Sequence, residues 1–278
     1  HLGAESFKKI KITGAKVTVG AGFSLPKLVR MVCENGLGGL ESLVGIPGTT
    51  GGAIYMNAGG HKNPAYRNIG ELITSLKVMD YNGKVKTLKK KELVFGYRSS
   101  NLDRYIVLEA ELKLDRSEKT ALISSRGRFL KMKKDKQALD LPSAGCVFKN
   151  PDNFQFTCAQ MIDMLNLKGK RIGGAEVSDK HANFIINRGS ASCKDVLELV
   201  DFIKCKVKKI CPISGTNPYQ GKGYKLFALN LLTVGLFNCS ACISGSKTGT
   251  VPVNILDSFN CEESKKLKII RHIITING

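Results

Sequence analysis

The sequence predicts an α+β fold in two units with antiparallel pairing, on three observations. Apolar and polar residues alternate in several short runs, and one pair of runs flanks Asn82-Gly83, a strong two-residue hairpin signal. Apolar residues recur at helical spacing in other stretches. Between these parts lies Gly45-Ile46-Pro47-Gly48-Thr49-Thr50-Gly51-Gly52-Ala53-Ile54-Tyr55-Met56-Asn57-Ala58-Gly59, with five glycines, a proline and two threonines. Glycine allows positive φ and close backbone approach, and successive N–H groups can form a concave nest for a phosphate. The stretch is neither a Walker A loop nor a Gly-x-Gly-x-x-Gly dinucleotide signature. The pattern alone leaves two readings open, a phosphate nest and a tight structural loop.

In chain order, residues 10–22 alternate around Ile10, Ile12, Val17 and Val19 and end at Gly20-Ala21-Gly22, which reads as short strands and a turn. Ser24 and Pro26 open a helix near 26–35 with an apolar stripe of Leu28, Val29, Val32 and Cys33, stopped by Gly36. Ser75–Tyr81 and Lys84–Leu88 form the hairpin about Asn82-Gly83, and Tyr105–Leu114 is a further strand. A helix over 117–136 carries Lys119, Arg126, Arg128, Lys131, Lys133, Lys134 and Lys136. A solvated face is the ordinary reading of such a run, and a basic wall beside an anionic ligand is the functional one.

Pro142-Ser143-Ala144-Gly145 breaks that helix and leads into Cys146-Val147-Phe148-Lys149-Asn150-Pro151. A helix follows near 156–166, with Met161, Ile162 and Leu165 inward, stopping around Gly169. Ile172-Gly173-Gly174 and Ala182–Ile186 suggest a small sheet. Ser192 with Asp195 forms a capping box before a helix with Val196, Leu197, Val200, Ile203, Val207 and Ile210 at helical spacing. The division is therefore 1–116, 117–211 and a tail, 212–278, without clear periodicity or motif.

At 278 residues the chain can bury proper cores. Apolar content is 42 %, and the absence of an apolar run of about 18 residues argues against a membrane span. The start, His1-Leu2-Gly3-Ala4-Glu5, does not read as a signal peptide, and without a Met the chain is expected to begin inside a longer protein. A net charge of +20 suits nucleic acid, an anionic surface or a phosphorylated small molecule. The lysines are dispersed, however, and no nucleic-acid-binding motif accompanies them, so no nucleic-acid partner is expected. The nine cysteines are irregularly spaced and read as reduced cytosolic thiols. Cys239-Ser240-Ala241-Cys242 lacks a second pair or a His partner, so no metal is expected.

Gly45–Gly59, Phe95-Gly96-Tyr97-Arg98-Ser99-Ser100, Pro142–Pro151 and Arg171-Ile172-Gly173-Gly174, taken together and in this order, resemble the UDP-N-acetylenolpyruvoylglucosamine reductases, the MurB-type flavoenzymes of peptidoglycan synthesis. The Lys180-His181-Ala182-Asn183-Phe184 turn and the helix after it fit as well. The resemblance spans roughly residues 10–210. It implies part of a vanillyl-alcohol-oxidase/PCMH-type FAD-binding domain followed by a small substrate domain. It also implies FAD as cofactor, NADPH as hydride source, a UDP-sugar enolpyruvyl ether as substrate, a cytoplasmic location and a monomer.

Through the resemblance, Gly45, Ile46, Pro47, Gly48, Thr49, Thr50, Gly51 and Gly52 become FAD contacts, with Asn57 and Ala58 near the flavin ring or, for Asn57, a turn-stabilising side chain. Hydride delivery to C3 of the enolpyruvyl ether leaves negative charge on its carboxylate, and a fixed guanidinium is the natural stabiliser. Arg98 stands at the family's position for it. Cys146 stands where the family most often has serine, and a protonated thiol can serve as the general acid to C2. Tyr97, Lys149 and Asn150 are expected at the polar groups of the substrate.

Two departures stand out. The family has a further N-terminal glycine-rich segment that this chain begins after. It also has a third catalytic group, a glutamate soon after the last helix, whereas here that helix runs into Cys211-Pro212-Ile213-Ser214. Glu262 and Glu263 lie far from that place. Two alternatives to a working reductase follow: a flavin-free piece with the family fold, and a basic nucleic-acid-binding module.

Overall fold

A computed structural model describes residues 3–60, 66–150 and 155–210. The tail at 212–278, with Cys239, Cys242, Glu262 and Glu263, lies outside the described residues, as does Pro151.

A 3-10 turn at Glu5–Lys8 leads into β1 (Ile10–Thr13) and β2 (Lys16–Gly20). Helix α1 (Leu25–Glu34) follows, then β3 (Leu37–Gly38), a 3-10 turn at Glu41–Leu43, and the short helices α2 (Thr50–Tyr55) and α3 (Ile69–Leu72). Next come β4 (Ile73–Asp80), β5 (Val85–Lys89), β6 (Phe95–Gly96), β7 (Ser99–Ser100), β8 (Tyr105–Lys113) and β9 (Asp115–Arg116). The chain continues through α4 (Lys119–Lys136), β10 (Ser143–Cys146), α5 (Cys158–Met164), β11 (Arg171–Ile172), β12 (Ala175–Val177), β13 (Phe184–Asn187) and α6 (Cys193–Ile210).

The first unit is an antiparallel sheet in the order β1-β2-β8-β4-β5, with α1 laid on it. Alternation buries Val17 and Val19 of β2 and Ala110 and Leu112 of β8 on one face, and a bulge between Val107 and Glu109 brings Val107 to the same face. The α1 stripe of Leu25, Leu28, Val29, Val32 and Cys33 is fully buried against them. At about 1.5–3 kcal/mol for each large apolar side chain, that stripe outweighs the helix's own propensity. The second unit is a sheet in the order β10-β13-β12-β11, covered by α5 and α6. Its last helix begins on the expected capping box: Ser192 Oγ accepts from Asp195 N at 3.1 Å, and Asp195 Oδ2 accepts from Ser192 N at 2.9 Å.

Two differences from the sequence reading have a clear physical cause. Helix α5 ends at Met164, because Asn166 takes φ +53 and closes a Schellman end, Leu167 N to Ile162 O and Asn166 N to Asp163 O. The division at 116/117 sets α4 with the second unit, yet α4 packs on the first. Leu122 belongs to the first core, and Phe129 and Leu130 pack against it. The Phe129 ring meets Tyr66 edge-on at 5.1 Å, and Tyr66 donates its hydroxyl to Met132 Sδ. The basic run is therefore mixed. Arg128, Lys131, Lys134 and Lys136 face solvent, while Arg126 approaches Glu34 and Lys133 turns inward.

Helix α2 begins where Thr49 Oγ1 accepts from Gly52 N at 3.3 Å. It lies so close to the end of β2 that a Cβ at Gly51 would stand 2.7 Å from Ala21 Cβ and 3.1 Å from Ala21 O. Gly51→Ala gains up to ~1 kcal/mol of helix propensity. Overpacking against backbone costs about 1–3 kcal/mol, and this term wins. We expect a lower urea midpoint with an unchanged m-value; an equal or higher midpoint would show that the contact relaxes freely.

Candidate active site

The glycine-rich turn is a wall with two different jobs. Gly45 at φ +78 and Gly48 at φ +117 take backbone conformations that side-chain-bearing residues avoid. The N–H groups of Thr50 and Gly51 are spent on Phe23 O and Ala21 O, both at 2.8 Å, Ile46 N is spent on Leu43 O, and Gly52 N on the cap. Among the described residues the N–H groups of Gly45, Gly48 and Thr49 take no hydrogen bond. The unspent donors are thus fewer than the Gly45–Gly52 reading expects, and the turn is exposed at Pro47, Gly48, Thr49 and Gly52.

Asn57 and Ala58 lie inside this wall. Ala58 N donates to Ala53 O, and Ala58 O accepts from Ile69 N. The Asn57 side chain is 6 % exposed and engaged at both ends, Nδ2 to Gly96 O at 2.9 Å and Oδ1 from Gly70 N at 3.1 Å. Of the two readings for Asn57, this bonding is the turn-stabilising one.

Tyr97 and Arg98 form the two-residue turn between β6 and β7, with Arg98 at φ +51. The guanidinium lies 5.4 Å from the Tyr97 ring centroid, and its buried Nη1 has no hydrogen-bond partner among the described residues. A buried polar nitrogen left so costs about 1–3 kcal/mol, more when charged, which suits a position that receives an anion. Tyr97 also reaches across to the second unit. Its hydroxyl is hydrogen-bonded by the Asn150 backbone, and Lys149 Nζ stands 5.3 Å from its ring centroid. Burial raises the Tyr97 phenol, with Arg98 opposing.

Cys146 ends β10. Its side chain is solvent-accessible, with protein packed closely around it. Burial pushes the thiol up to about 11, with the Arg98 charge pulling the other way. Behind it, Cys158 is buried and donates its thiol to Lys149 O at 3.2 Å, and burial followed by the Cys146 charge pushes it to about 12. Asn150 Oδ1 accepts from Cys158 N at 3.0 Å, so this side chain is partly committed to the start of α5.

Three residues that position the site went unassigned in the sequence. Asn183, 3 % exposed, accepts from Phe148 N and donates to Phe148 O, both at 2.8 Å, while its own carbonyl accepts from Val147 N. That clamp holds the strand leading from Cys146 to Lys149. His181 braces the same turn by accepting from Asn183 N at 3.3 Å, and burial lowers its imidazole. Lys133 donates to Ser42 O at 2.8 Å and Val44 O at 2.7 Å, immediately before Gly45. Burial, helped by the Arg98 charge, lowers its ammonium to about 8. Within a run of cations nothing local marks it out.

The structure therefore brings Tyr97, Arg98, Cys146, Lys149 and Asn150 to one seam between the two units. Lys133 ties the glycine-rich turn to the same electrostatic neighbourhood. A cysteine at about 11 is protonated at neutral pH, so it can donate a proton and is a poor nucleophile. Alkylation of Cys146 by iodoacetamide, followed on its own peptide by mass spectrometry, should be slow at pH 7 and rise about tenfold per pH unit up to pH ~10. A rate that levels off by pH ~9 would put the thiol near its ordinary value.

Comparison with known proteins bears on the same residues. Residues 3–89 match the FAD binding domain family, and residues 137–214 match the C-terminal domain of UDP-N-acetylenolpyruvoylglucosamine reductase. The UDP-N-acetylenolpyruvoylglucosamine reductase of Thermotoga petrophila is 42 % identical over 74 % of this chain and 71 % of its own length. That of Moorella thermoacetica is 41 % identical over 71 % of this chain and 64 % of its own. The crystal structure of the reductase (MurB) from Thermus caldophilus superposes with a TM-score of 0.63 at 37 % identity, covering 71 % of this chain and 70 % of that one. The chain belongs to the UDP-N-acetylenolpyruvoylglucosamine reductase family.

Proposed function

We propose that this chain reduces UDP-N-acetylglucosamine enolpyruvate to UDP-N-acetylmuramate in peptidoglycan synthesis, using FAD and NADPH. The observation that carries the reading is the pairing at the seam. A buried guanidinium nitrogen without a partner lies close enough to a protonated thiol to be felt by it. Membership of the family and the match of residues 3–89 to an FAD binding domain support the cofactor.

The residues present fit a flavin dinucleotide on one face. Gly45, Gly48 and Thr49 offer spare N–H groups for a pyrophosphate, and Pro47, Thr49 and Gly52 are exposed beside them. Ile46, Thr50 and Gly51 shape that face from within. FAD, when bound, supplies hydride chemistry, with NADPH as the hydride source.

The chain's own residues do the rest. Arg98 pairs with the carboxylate of the enolpyruvyl ether and stabilises the negative charge that grows there as C3 is reduced. Its turn conformation and stacking on Tyr97 limit the movement needed at that moment. Cys146 Sγ–H then protonates C2, and its raised pKa keeps the proton in place until carbanionic charge develops nearby. Tyr97, Lys149 and Asn150 bind polar groups of the sugar nucleotide, with Lys149 and the neighbouring cations answering the diphosphate charge. Lys133 and Arg98 add positive charge beside the turn, which favours anionic ligands over neutral ones.

The purified chain should show yellow flavin absorbance or acquire it with added FAD; colourless protein that takes up none defeats the reading for this chain. Arg98→Ala should keep the flavin while slowing its reoxidation by the enolpyruvyl substrate about a hundredfold or more. Unchanged reoxidation removes Arg98 from the reaction. Cys146→Ser should retain appreciable turnover and Cys146→Ala should not; equal activities would assign the proton to another donor.

A further inference from the structure

Arg98 sits on a hairpin that cannot hold itself. Strands β6 and β7 contribute two residues each, Phe95↔Ser100 and Gly96↔Ser99, and so short a pair has no stability alone. Its turn also places a non-glycine residue at φ +51. Both strands are instead tied to the end of α2. Ser100 Oγ donates to Tyr55 O at 2.7 Å, satisfying a carbonyl that a helix end leaves without a partner. Asn57 Nδ2 donates to Gly96 O at 2.9 Å, one residue before the turn.

Asn57 is built for this second bond. Helix α2 closes in a Schellman motif, with Ala58 N donating to Ala53 O and Asn57 N to Ile54 O. Asn57, at φ +46, fills the left-handed position where glycine is usual and asparagine an accepted substitute. Glycine would close the helix equally well but would carry no amide. The amide is fixed from its other side by Gly70 N, and a Cβ at Gly70 would stand 2.6 Å from both Asn57 Oδ1 and Phe95 Cγ. Nothing between Gly70, Asn57 and Phe95 has room to shift.

We propose that Asn57 is the positioning residue for Arg98: its amide locks the Gly96 carbonyl and thereby sets the turn that holds the guanidinium beside the Cys146 thiol. The proposal deepens the role given to Arg98 in the proposed reaction, and rests on it. It makes the end of the glycine-rich segment and the anion-binding arginine one mechanical unit, joined through a side chain that touches neither ligand.

The test reads the guanidinium without requiring turnover. Cys146 is alkylated with iodoacetate and, in parallel, with neutral iodoacetamide, and the rate ratio is measured on the Cys146 peptide. The thiolate fraction cancels in the ratio, which therefore reports local positive charge. Arg98→Ala supplies the reference, expected several-fold below wild type.

Asn57→Gly keeps the Schellman end and should retain flavin and the folded state, with a lower Tm because Gly70 N and Gly96 O lose their partner. Its ratio should fall to the Arg98→Ala level, and its iodoacetamide rate should slow as it does in Arg98→Ala, because the same charge holds the thiol's pKa down. Asn57→Ser, which keeps a Cβ but cannot span to Gly96, should do the same and guards against a loosened helix end in the glycine variant. Where turnover is measurable, kcat should drop about tenfold with flavin content unchanged. A wild-type ratio in both Asn57 variants overturns the proposal and leaves Asn57 a helix cap; a ratio that ignores Arg98→Ala overturns it as well. A wild-type chain that reduces no enolpyruvyl ether, yet loses the ratio in Asn57→Gly, would sink the proposed function and keep the positioning role.

Discussion

The two separately cored units are bonded to each other at the seam through Tyr97. Its hydroxyl meets the Asn150 backbone of the second unit, its ring lies beside Lys149, and Arg98 follows it directly in the first. The geometry of the seam depends on this contact. It sets Arg98 close to Cys146 while each remains anchored in its own core. The anchors are of different kinds. Arg98 hangs on side-chain to carbonyl bonds at the end of a helix, whereas Cys146 belongs to a strand paired with β13 and clamped by Asn183.

Electrostatics around the seam follow from that construction. The chain is strongly basic, but among the described residues most cations face water and contribute little locally. Lys133 differs because burial strips its solvation while two carbonyls, Ser42 O and Val44 O, hold it in place. It thereby couples α4 to the segment that precedes Gly45. Arg98 raises the potential further, and the same charge is what keeps the Cys146 thiol from climbing higher still. Burial dominates that balance, so the thiol remains a proton carrier.

Much of the fold was legible because its signals are local. Alternation placed Val17, Val19 and the hairpin about Asn82-Gly83, the stripe placed α1, and Ser192 with Asp195 placed the start of α6. The allegiance of α4 was not legible. Leu122, Phe129 and Leu130 are too few among its cations to say which core they face, and Lys133 is the same residue type as its solvated neighbours. The site divides in the same way. Arg98 and Cys146 stand 48 positions apart in sequence, so only a family resemblance joined them in advance. The sequence of the glycine-rich stretch reads as a row of donors, but Phe23 O and Ala21 O claim Thr50 and Gly51, and the Thr49 cap claims Gly52. Asn57 was read from its neighbourhood in sequence, whereas its partners Gly70 and Gly96 come from elsewhere in the fold.

The packing beneath the glycine-rich turn limits how this face can diverge. Gly45 and Gly48 are held by backbone conformation, and Gly51 is held by its contact with Ala21. Thr50 and Asn57 are held by internal hydrogen bonds. The exposed positions left to vary freely are few, chiefly Pro47 and Thr49, and Thr49 also caps a helix. The turn has almost no chemical vocabulary of its own. New ligand preferences in such a scaffold must therefore arise on the opposite side of the seam, chiefly at Cys146 and Lys149, whose side chains lie outside the second core.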